Sequence, residues 1–581
     1  MCGIAGIVKF NQSSVDGGDV KRMTDAIVHR GPDGEGQWTN SNGNVGLGHR
    51  RLSIIDLSEN GKQPMHYADN RYSITFNGEI YNYIELKKVL LSKGYQFRSE
   101  SDTEVLMALY DHKKEKCLDE LDGMFAFAIW DEKEQILFCA RDRFGEKPFY
   151  YSYTPENGFY FASEMKALWA AGIEKSTDRE MLSIYLQTGN VYDSKDLSRT
   201  FYKNIKHLDN AHYLIIKANK QIVIQNYYNL DNIKVNKNIT RAQVTEKFYD
   251  LLYNSVNLRL RSDVPVGSSL SGGLDSSSIV MLIDKIKGDA QNQNTFSARF
   301  SNYDKDEGKH IDEVLKSCKN ITGHEVWPQG DDMLTEFDKI IFHQEEPFMS
   351  ASIYAQWKVM EKAKKEGIIV LLDGQGADEY LAGYLPYYSL YLQQSYFNNY
   401  KLYDAEWHSY RKLRGVDLKR FEDNETLQMK LGRYKRKLLN QPMPYSESAL
   451  TDKLKGDMLH TNLKELLRYA DRNAMAHSRE VRLPFLSHHL VEFVFSLPDE
   501  FKLHEGWTKW ILRESMKEVL PPSITWRVDK IGYEPPQSSW LKSPDWLKQI
   551  QKGKEIADSF EIKRDDKNDW THLMISKFFN N

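Results

Sequence analysis

The apolar pattern of this chain changes character once, and that change bounds the fold more tightly than any single motif. Up to about residue 200 the strand signals are short and closely spaced. Tyr72-Ser73-Ile74-Thr75-Phe76 alternates before Asn77-Gly78, residues 124–130 form an apolar, aromatic run, and residues 135–139 and 158–162 follow turn residues. Helical stretches at 83–93 and 102–112 lie between them. Short strands at this spacing predict stacked antiparallel sheets. Residues 223–240 are polar and Asn-rich and read as a linker. Beyond them, residues 264–270 predict a buried strand, followed by a Gly/Ser loop and a helical run over 276–287. Residues 295–300 predict another strand, and the five apolar residues 368–372 end in Asp373-Gly374-Gln375-Gly376. Strands alternating with helices predict a parallel α/β sheet that binds ligands at the carboxyl ends of its strands. From residue 427 onward the chain reads as mostly helical.

Bulk properties narrow the function. A chain of 581 residues predicts two to four domains. The net charge of -4 provides no basic field of the kind a phosphate backbone requires, so nucleic acid is not expected as a partner. The short basic run at 433–437 reads as a solvated helix face. No run of about 18 apolar residues predicts a membrane span, and the first residues lack the flanks of a secretory signal. Cys2, Cys117, Cys139 and Cys318 form no Cys-x-x-Cys pair, which argues against a zinc site or a disulfide framework and makes a reducing cytoplasm the simplest compartment.

Cys2 is the first chemically pointed residue. Removal of the initiator methionine, which small second residues permit, leaves its thiol beside its own α-amine. With a reference pKa near ~7.7–8.0, that amine can serve as the base for the thiol. Attack on a carboxamide builds an oxyanion that needs preplaced donors, and Asn77-Gly78 can supply an amide side chain and a backbone N–H. Arg51 can clamp a carboxylate through both guanidinium nitrogens, and Asp102 can pair with an ammonium.

Several blocks around these residues resemble the class II, N-terminal nucleophile glutaminase domain. They are Met1-Cys2-Gly3-Ile4, His29-Arg30-Gly31-Pro32-Asp33, His49-Arg50-Arg51-Leu52-Ser53-Ile54-Ile55-Asp56, Phe76-Asn77-Gly78-Glu79-Ile80-Tyr81-Asn82 and Ser101-Asp102-Thr103-Glu104, continued by Asp122–Ala126 and Arg141–Gly145. The resemblance implies an αββα sandwich with Cys2 as nucleophile, Asn77 and Gly78 as oxyanion hole, and glutamine held by Arg51, Leu52, Ser53, Ile54, Ile55, Asn77, Gly78, Glu79 and Asp102.

Ser271-Gly272-Gly273-Leu274-Asp275-Ser276-Ser277 lies between a predicted strand and helix. Its glycines let the backbone approach phosphate, the helix N-terminus offers free N–H groups, and Asp275 can help hold Mg²⁺. The chain has neither a Walker A loop nor a Gly-x-Ser-x-Gly elbow. The string resembles the pyrophosphate loop of the ATP pyrophosphatases. With Asp373–Glu379, Gly383-Tyr384, Arg479–Leu486 and Lys509–Arg513 the resemblance spans nearly the whole chain and points to the glutamine-hydrolysing asparagine synthetase family. It implies a glutaminase domain over 1–226 and a synthetase (ATP-pyrophosphatase) domain over 227–581, with a parallel α/β sheet and a largely helical C-terminal part. ATP would lie on Leu270, Ser271, Gly272, Gly273, Leu274, Asp275, Ser276, Ala298, Asp373, Gly374 and Lys509, with Asp275 and Asp378 on Mg²⁺. Gln375, Asp378 and Glu379 would form the acceptor site. Expected substrates are glutamine, ATP and aspartate, with ammonia passing through an internal tunnel. A homodimer is implied by the resemblance alone.

The pattern departs from the family at Gln375, where typical members carry Glu. Gln takes no proton at neutral pH, so either another carboxylate (Glu345, Glu346 or Glu379) serves as base or the acceptor differs. A related amidation of another carboxylate, such as a uronic-acid sugar, is the alternative. Asp373 in place of Ser or Thr, and Ser487 in place of Asp, lie in the same half of the chain.

Overall fold

The computed structural model describes residues 2–10, 13–217, 221–288, 292–416, 418–424, 435–436, 445–446, 448–529, 534–560 and 568–579. Most of the basic run at 433–437 lies outside them.

The first part of the chain builds two six-stranded antiparallel sheets. Sheet one has the order β10 (Lys206–His207), β8 (Tyr150–Thr154), β9 (Gly158–Ala162), β1 (Gly3–Val8), β3 (Val45–Arg51), β2 (Gly34–Thr39). Sheet two has the order β12 (Ile222–Asn226), β11 (His212–Ile216), β7 (Ile136–Arg141), β6 (Gly123–Asp131), β5 (Tyr72–Ile80), β4 (Met65–Tyr67). The two-residue period of a strand assigns each side chain to a layer. In β6, Ala126, Ala128 and Trp130 face the other sheet, while Phe125, Phe127 and Ile129 pack under the helices Tyr83–Ser92 and Asp102–Lys113. In β1, Ile4 and Val8 face inward, and Ala5 and Ile7 pack under the helices Gly17–Asp25 and Met165–Ala170. The result is the expected αββα sandwich. The linker is shorter than its composition implies, because Ile222–Asn226 pairs with β11 and completes sheet two. Asn77 and Gly78 likewise lie within β5, opposite Ala126 and Phe125, and not after it. A strand with neighbours on the ladder overrides the turn preference of Asn-Gly.

The second part contains a five-stranded parallel sheet in the order β15 (Ile321–Val326), β14 (Gln293–Ala298), β13 (Val266–Ser269), β16 (Val370–Leu372), β17 (Glu480–Arg482). The chain leaves β13 toward β14 on one side and later toward β16 on the other. The carboxyl end of β13 is therefore the switch point where open parallel sheets bind ligands. β17 has no apolar strand signal. Its Glu480 and Arg482 are fully buried and form an ion pair at 2.6 Å. Helices dominate the rest of the described C-terminal residues.

One of these helices, Asn462–Ala476, lies between the two parts of the molecule. Arg30 binds Asp471 through two nitrogens (2.8 and 2.9 Å) and Glu164 at 2.8 Å. Arg472 reaches Glu164 at 3.0 Å and Glu345 at 2.6 Å. Arg30, Glu164 and Arg472 are at most 1% exposed, so each charge depends on its partners to offset desolvation.

Candidate active sites

Cys2 stands at the start of β1, buried, with its backbone N–H donated to Asn77 Oδ1 at 2.9 Å and its carbonyl accepting from Arg30 Nε at 3.0 Å. Burial pushes the thiol pKa up, so the resting group is neutral and needs a base to become a nucleophile. Asn77 is fully buried, and its Nδ2 has no protein partner among the described residues. Beyond Ile74, β4 no longer covers the edge of β5. Along that edge, Phe76 N–H is taken by Gln63 Oε1 at 2.6 Å and Ile80 N–H by Asp102 Oδ2 at 2.9 Å. Gly78, between them on the same edge, turns its N–H to the cleft. A β-carbon at Gly78 would collide with the Met124 carbonyl.

Cys2, Arg51, Leu52, Ile54, Ile55, Gly78, Glu79 and Asp102 line one cleft, joined by Gly61, Gln63, Phe76, Ser101 and Thr103. Of the residues expected to hold glutamine, Ser53 and Asn77 are not in its wall; the Ser53 N–H donates instead to Asp33 at 2.9 Å, and Asn77 lies behind the wall, bound to the Cys2 N–H. Arg51 donates to the carbonyls of Ser58 (2.9 Å) and Asp56, which hold its guanidinium in place. Asp102 opens the helix capped by Ser101. Burial lifts its carboxyl to about 6, against the lowering effect of the Ile80 N–H. Glu79 is held well above the usual carboxylate range by burial and by neighbouring Glu480, with Arg482 at 3.4 Å opposing the shift. Gln63, Ser101 and Thr103 were not named as site residues, because only the fold brings Gln63 and the start of the helix Asp102–Lys113 to β5.

The second site lies at the switch point. The loop after β13 has Gly272 at φ +71°, where a β-carbon would press on His310 and the Ile311 backbone. The loop after β16 lies against it, and a β-carbon on Gly374 would come within 2.9 Å of Ser276 N. Ser271, Gly273, Asp275, Ser276, Asp373, Gly374, Gln375 and Asp378 line a single cleft here. It is the larger of the two, about 1730 Å³ against about 360 Å³ at Cys2 with the space open to solvent included, in keeping with a nucleotide and an acceptor in one cleft and a single amino acid in the other.

Lys509 is 1% exposed and sits behind this wall, with its ammonium 2.7 and 2.6 Å from the Asp275 carboxylate and 2.6 Å from Asp378 Oδ1. Its own backbone is left-handed (φ +52°), a strained conformation of the kind that collects at functional sites. Burial raises the Asp373 carboxyl. Leu270 and Leu274 belong to the apolar core, and Ala298 ends β14; none of the three is in the wall. The buried Oε1 of Gln375 has no protein partner among the described residues.

The three carboxylates proposed to compensate for Gln375 are committed elsewhere. Glu345 accepts from Met165 N (3.0 Å) and Lys166 N (2.7 Å) and binds Arg472; Glu346 holds Phe201 N (3.0 Å) and Arg468 (2.8 Å). Both are pins between the two parts of the molecule and not cleft bases. Glu379 is buried, lifted by burial to about 7, and bound by Tyr384 OH (2.7 Å) and Asn462 Nδ2 (3.0 Å). The sequence did not single out the residues that the helix Asn462–Ala476 adds to the cleft, namely Asn462, Glu465, Leu466 and Tyr469.

An N-terminal nucleophile sandwich joined to a parallel sheet with a Gly/Ser loop at its switch point defines an ATP-dependent glutamine amidotransferase, a carbon–nitrogen ligase. Residues 1–228 match the glutamine amidotransferase domain family and residues 247–565 the asparagine synthase family. Asparagine synthetase [glutamine-hydrolyzing] 1 of Bacillus subtilis (strain 168) is 33% identical over 598 residues, covering 95% of this chain and 90% of its own. A putative asparagine synthetase of Methanocaldococcus jannaschii is 36% identical over 410 residues, covering 67% of this chain and 77% of its own. Amidase chry2 of Gibberella zeae is 28% identical over 94% of this chain and 90% of its own. The chain belongs to the glutamine-hydrolysing asparagine synthetase family and uses ATP as a substrate. Among the described residues, no helix is long and apolar enough to cross a membrane.

Proposed function

We propose that this enzyme hydrolyses glutamine at Cys2, adenylates aspartate with ATP at the switch-point cleft, and joins the released ammonia to the adenylate, giving asparagine, AMP and pyrophosphate. After loss of Met1, the α-amine of Cys2 takes the thiol proton. The sulfur attacks the carboxamide carbon, and the oxyanion is met by Asn77 Nδ2 and Gly78 N–H. Ammonia leaves and water hydrolyses the thioester. Asp102 pairs with the ammonium of glutamine and Arg51 with its carboxylate. In the second cleft, an acceptor oxygen attacks the α-phosphorus and pyrophosphate departs toward Lys509. Asp275 and Asp378 suit Mg²⁺: two hard carboxylates already converge on one cation, the Lys509 ammonium, and Gly383 leaves no room for a β-carbon beside them. When bound there, the ion would neutralise phosphate charge.

The carrying observation is the large cleft in which the two loops meet over Asp275, Asp378 and Lys509. The reading predicts that aspartate, added to enzyme, ATP and glutamine, raises pyrophosphate release at least about tenfold over the aspartate-free control. No rise would exclude aspartate and favour another carboxylate, such as a uronate. Gln375 in the cleft wall motivates that second reading.

Asp102 sets the acid limb of the glutaminase. Below about 6 the free enzyme carries a neutral Asp102, which cannot pair with the substrate ammonium. The kcat/KM for glutamine should therefore fall about tenfold per pH unit below that point. Asp102→Asn should remove this limb and raise KM about 100-fold, the worth of a charged hydrogen bond of about 2–3 kcal/mol. A limb that persists in the variant would assign it to another group.

A further inference from the structure

Joining ammonia to an acyl adenylate releases a proton, and Gln375 cannot accept it. A cavity between the two parts of the molecule is walled by Tyr150, Glu346, Glu465, Asp471 and Arg472, among others. Asp471 binds Arg30, which in turn holds the Cys2 carbonyl, so this cavity lies on the cysteine side of the helix Asn462–Ala476. Among the residues lining this cavity or the acceptor cleft, only Glu465 lines both. Its partner is Tyr469 OH at 3.5 Å, the outer limit of a hydrogen bond, in contrast to the tightly bound Glu345, Glu346 and Glu379.

We infer that Glu465 is the base of the transfer step, standing where ammonia passes from the interdomain cavity into the acceptor cleft. The inference rests on the proposed two-step amidation. The ammonia lone pair forms the C–N bond at the acyl carbon. One N–H proton passes to the Glu465 carboxylate, and the bond from the acyl carbon to the phosphate oxygen breaks. AMP leaves with that electron pair, the amide remains, and Glu465 returns its proton to solvent. Burial lifts this carboxyl to about 7, so it is a competent proton acceptor at neutral pH. The groups around it are Lys464, Arg468 and Tyr469 on its own helix and Tyr185 and Tyr192 from the glutaminase side.

The test uses the full chain and whichever carboxylate, aspartate or a uronate, the wild-type enzyme adenylates. Failure of aspartate in the wild type therefore falls on the acceptor assignment and not on Glu465. For Glu465→Gln, amide formation should drop at least about 100-fold with either glutamine or ammonium as nitrogen source. Carboxylate-dependent ATP–pyrophosphate exchange should persist within a few-fold. Glu465→Asp should recover part of the rate and keep a pH limb near 7 that the Gln variant lacks. Glutamine hydrolysis in the same samples reports that the protein has folded. Amide formation within threefold of wild type in Glu465→Gln would overturn the inference. Parallel loss of exchange and amide formation would also overturn it, because Glu465 would then hold the acceptor or the nucleotide.

Discussion

Cys2→Ala should abolish glutamine-dependent amide formation, by at least about 10⁴-fold, while leaving ammonium-dependent formation within about twofold. The first figure follows from the loss of a nucleophile that works as a unit with its base and oxyanion donors. The second follows from location: the thiol lies just before β1, whereas the cleft proposed for adenylation lies at the end of β13, in the other part of the chain. Residual hydrolysis of glutamine should be undetectable, since Asn77 and Gly78 stabilise an oxyanion that no longer forms. Loss of both activities would show that the two sites do not work independently. Mass spectrometry of the active wild type should find Cys2 at the amino terminus, because its buried, neutral thiol otherwise lacks the adjacent amine as base. Full activity with Met1 retained would refute the nucleophile assignment.

Lys509→Met should lower ATP–pyrophosphate exchange about 10³-fold and leave glutamine hydrolysis intact. The ammonium lies within 2.7 Å of both Asp275 oxygens and 2.6 Å from Asp378. Its loss removes the fixed cation proposed to meet the departing pyrophosphate, an effect of the order seen when one preorganised donor is deleted, about 10²–10³. It also leaves the buried Asp275 carboxylate facing the partly exposed Asp378 with no cation between them, so the denaturant midpoint should fall as well. Lys509→Arg should not rescue exchange, because Gly383 packs against the lysine Cε and leaves no space for a guanidinium. Exchange within tenfold of wild type in Lys509→Met would remove this residue from the reaction.

The two predictions draw on different parts of the chain, and the sequence was unequally informative about them. Cys2, Asn77, Gly78 and Asp102 stand in short blocks whose residue types already match the chemistry, and β5 and the helix Asp102–Lys113 bring Cys2, Gly78 and Asp102 to one cleft with Asn77 bound to the Cys2 N–H. The Gly/Ser loop was legible for the same reason: phosphate binding needs contiguous glycines ahead of a helix. Ser53 looked equivalent to its neighbours but lies outside the wall, its backbone tied to Asp33, 20 positions earlier in the chain. Glu345 and Glu346 looked like spare bases. The fold spends both on Arg472, Arg468 and backbone N–H groups 120 or more residues away in sequence.

By itself, the sequence determined the two-part architecture and put forward Cys2 as nucleophile and Ser271–Ser277 as phosphate loop, because short blocks of residue type, period and glycine are enough to mark each. Tertiary structure alone decided which carboxylates pin the two parts together and which one lines both the cavity and the cleft. It also placed Lys509 between Asp275 and Asp378, and put Glu465 at the junction of two spaces. These depend on contacts between residues hundreds of positions apart, such as Arg30 with Asp471 and Asp275 with Lys509. In a buried setting such pairing determines whether a charge is neutralised, held or left available to react.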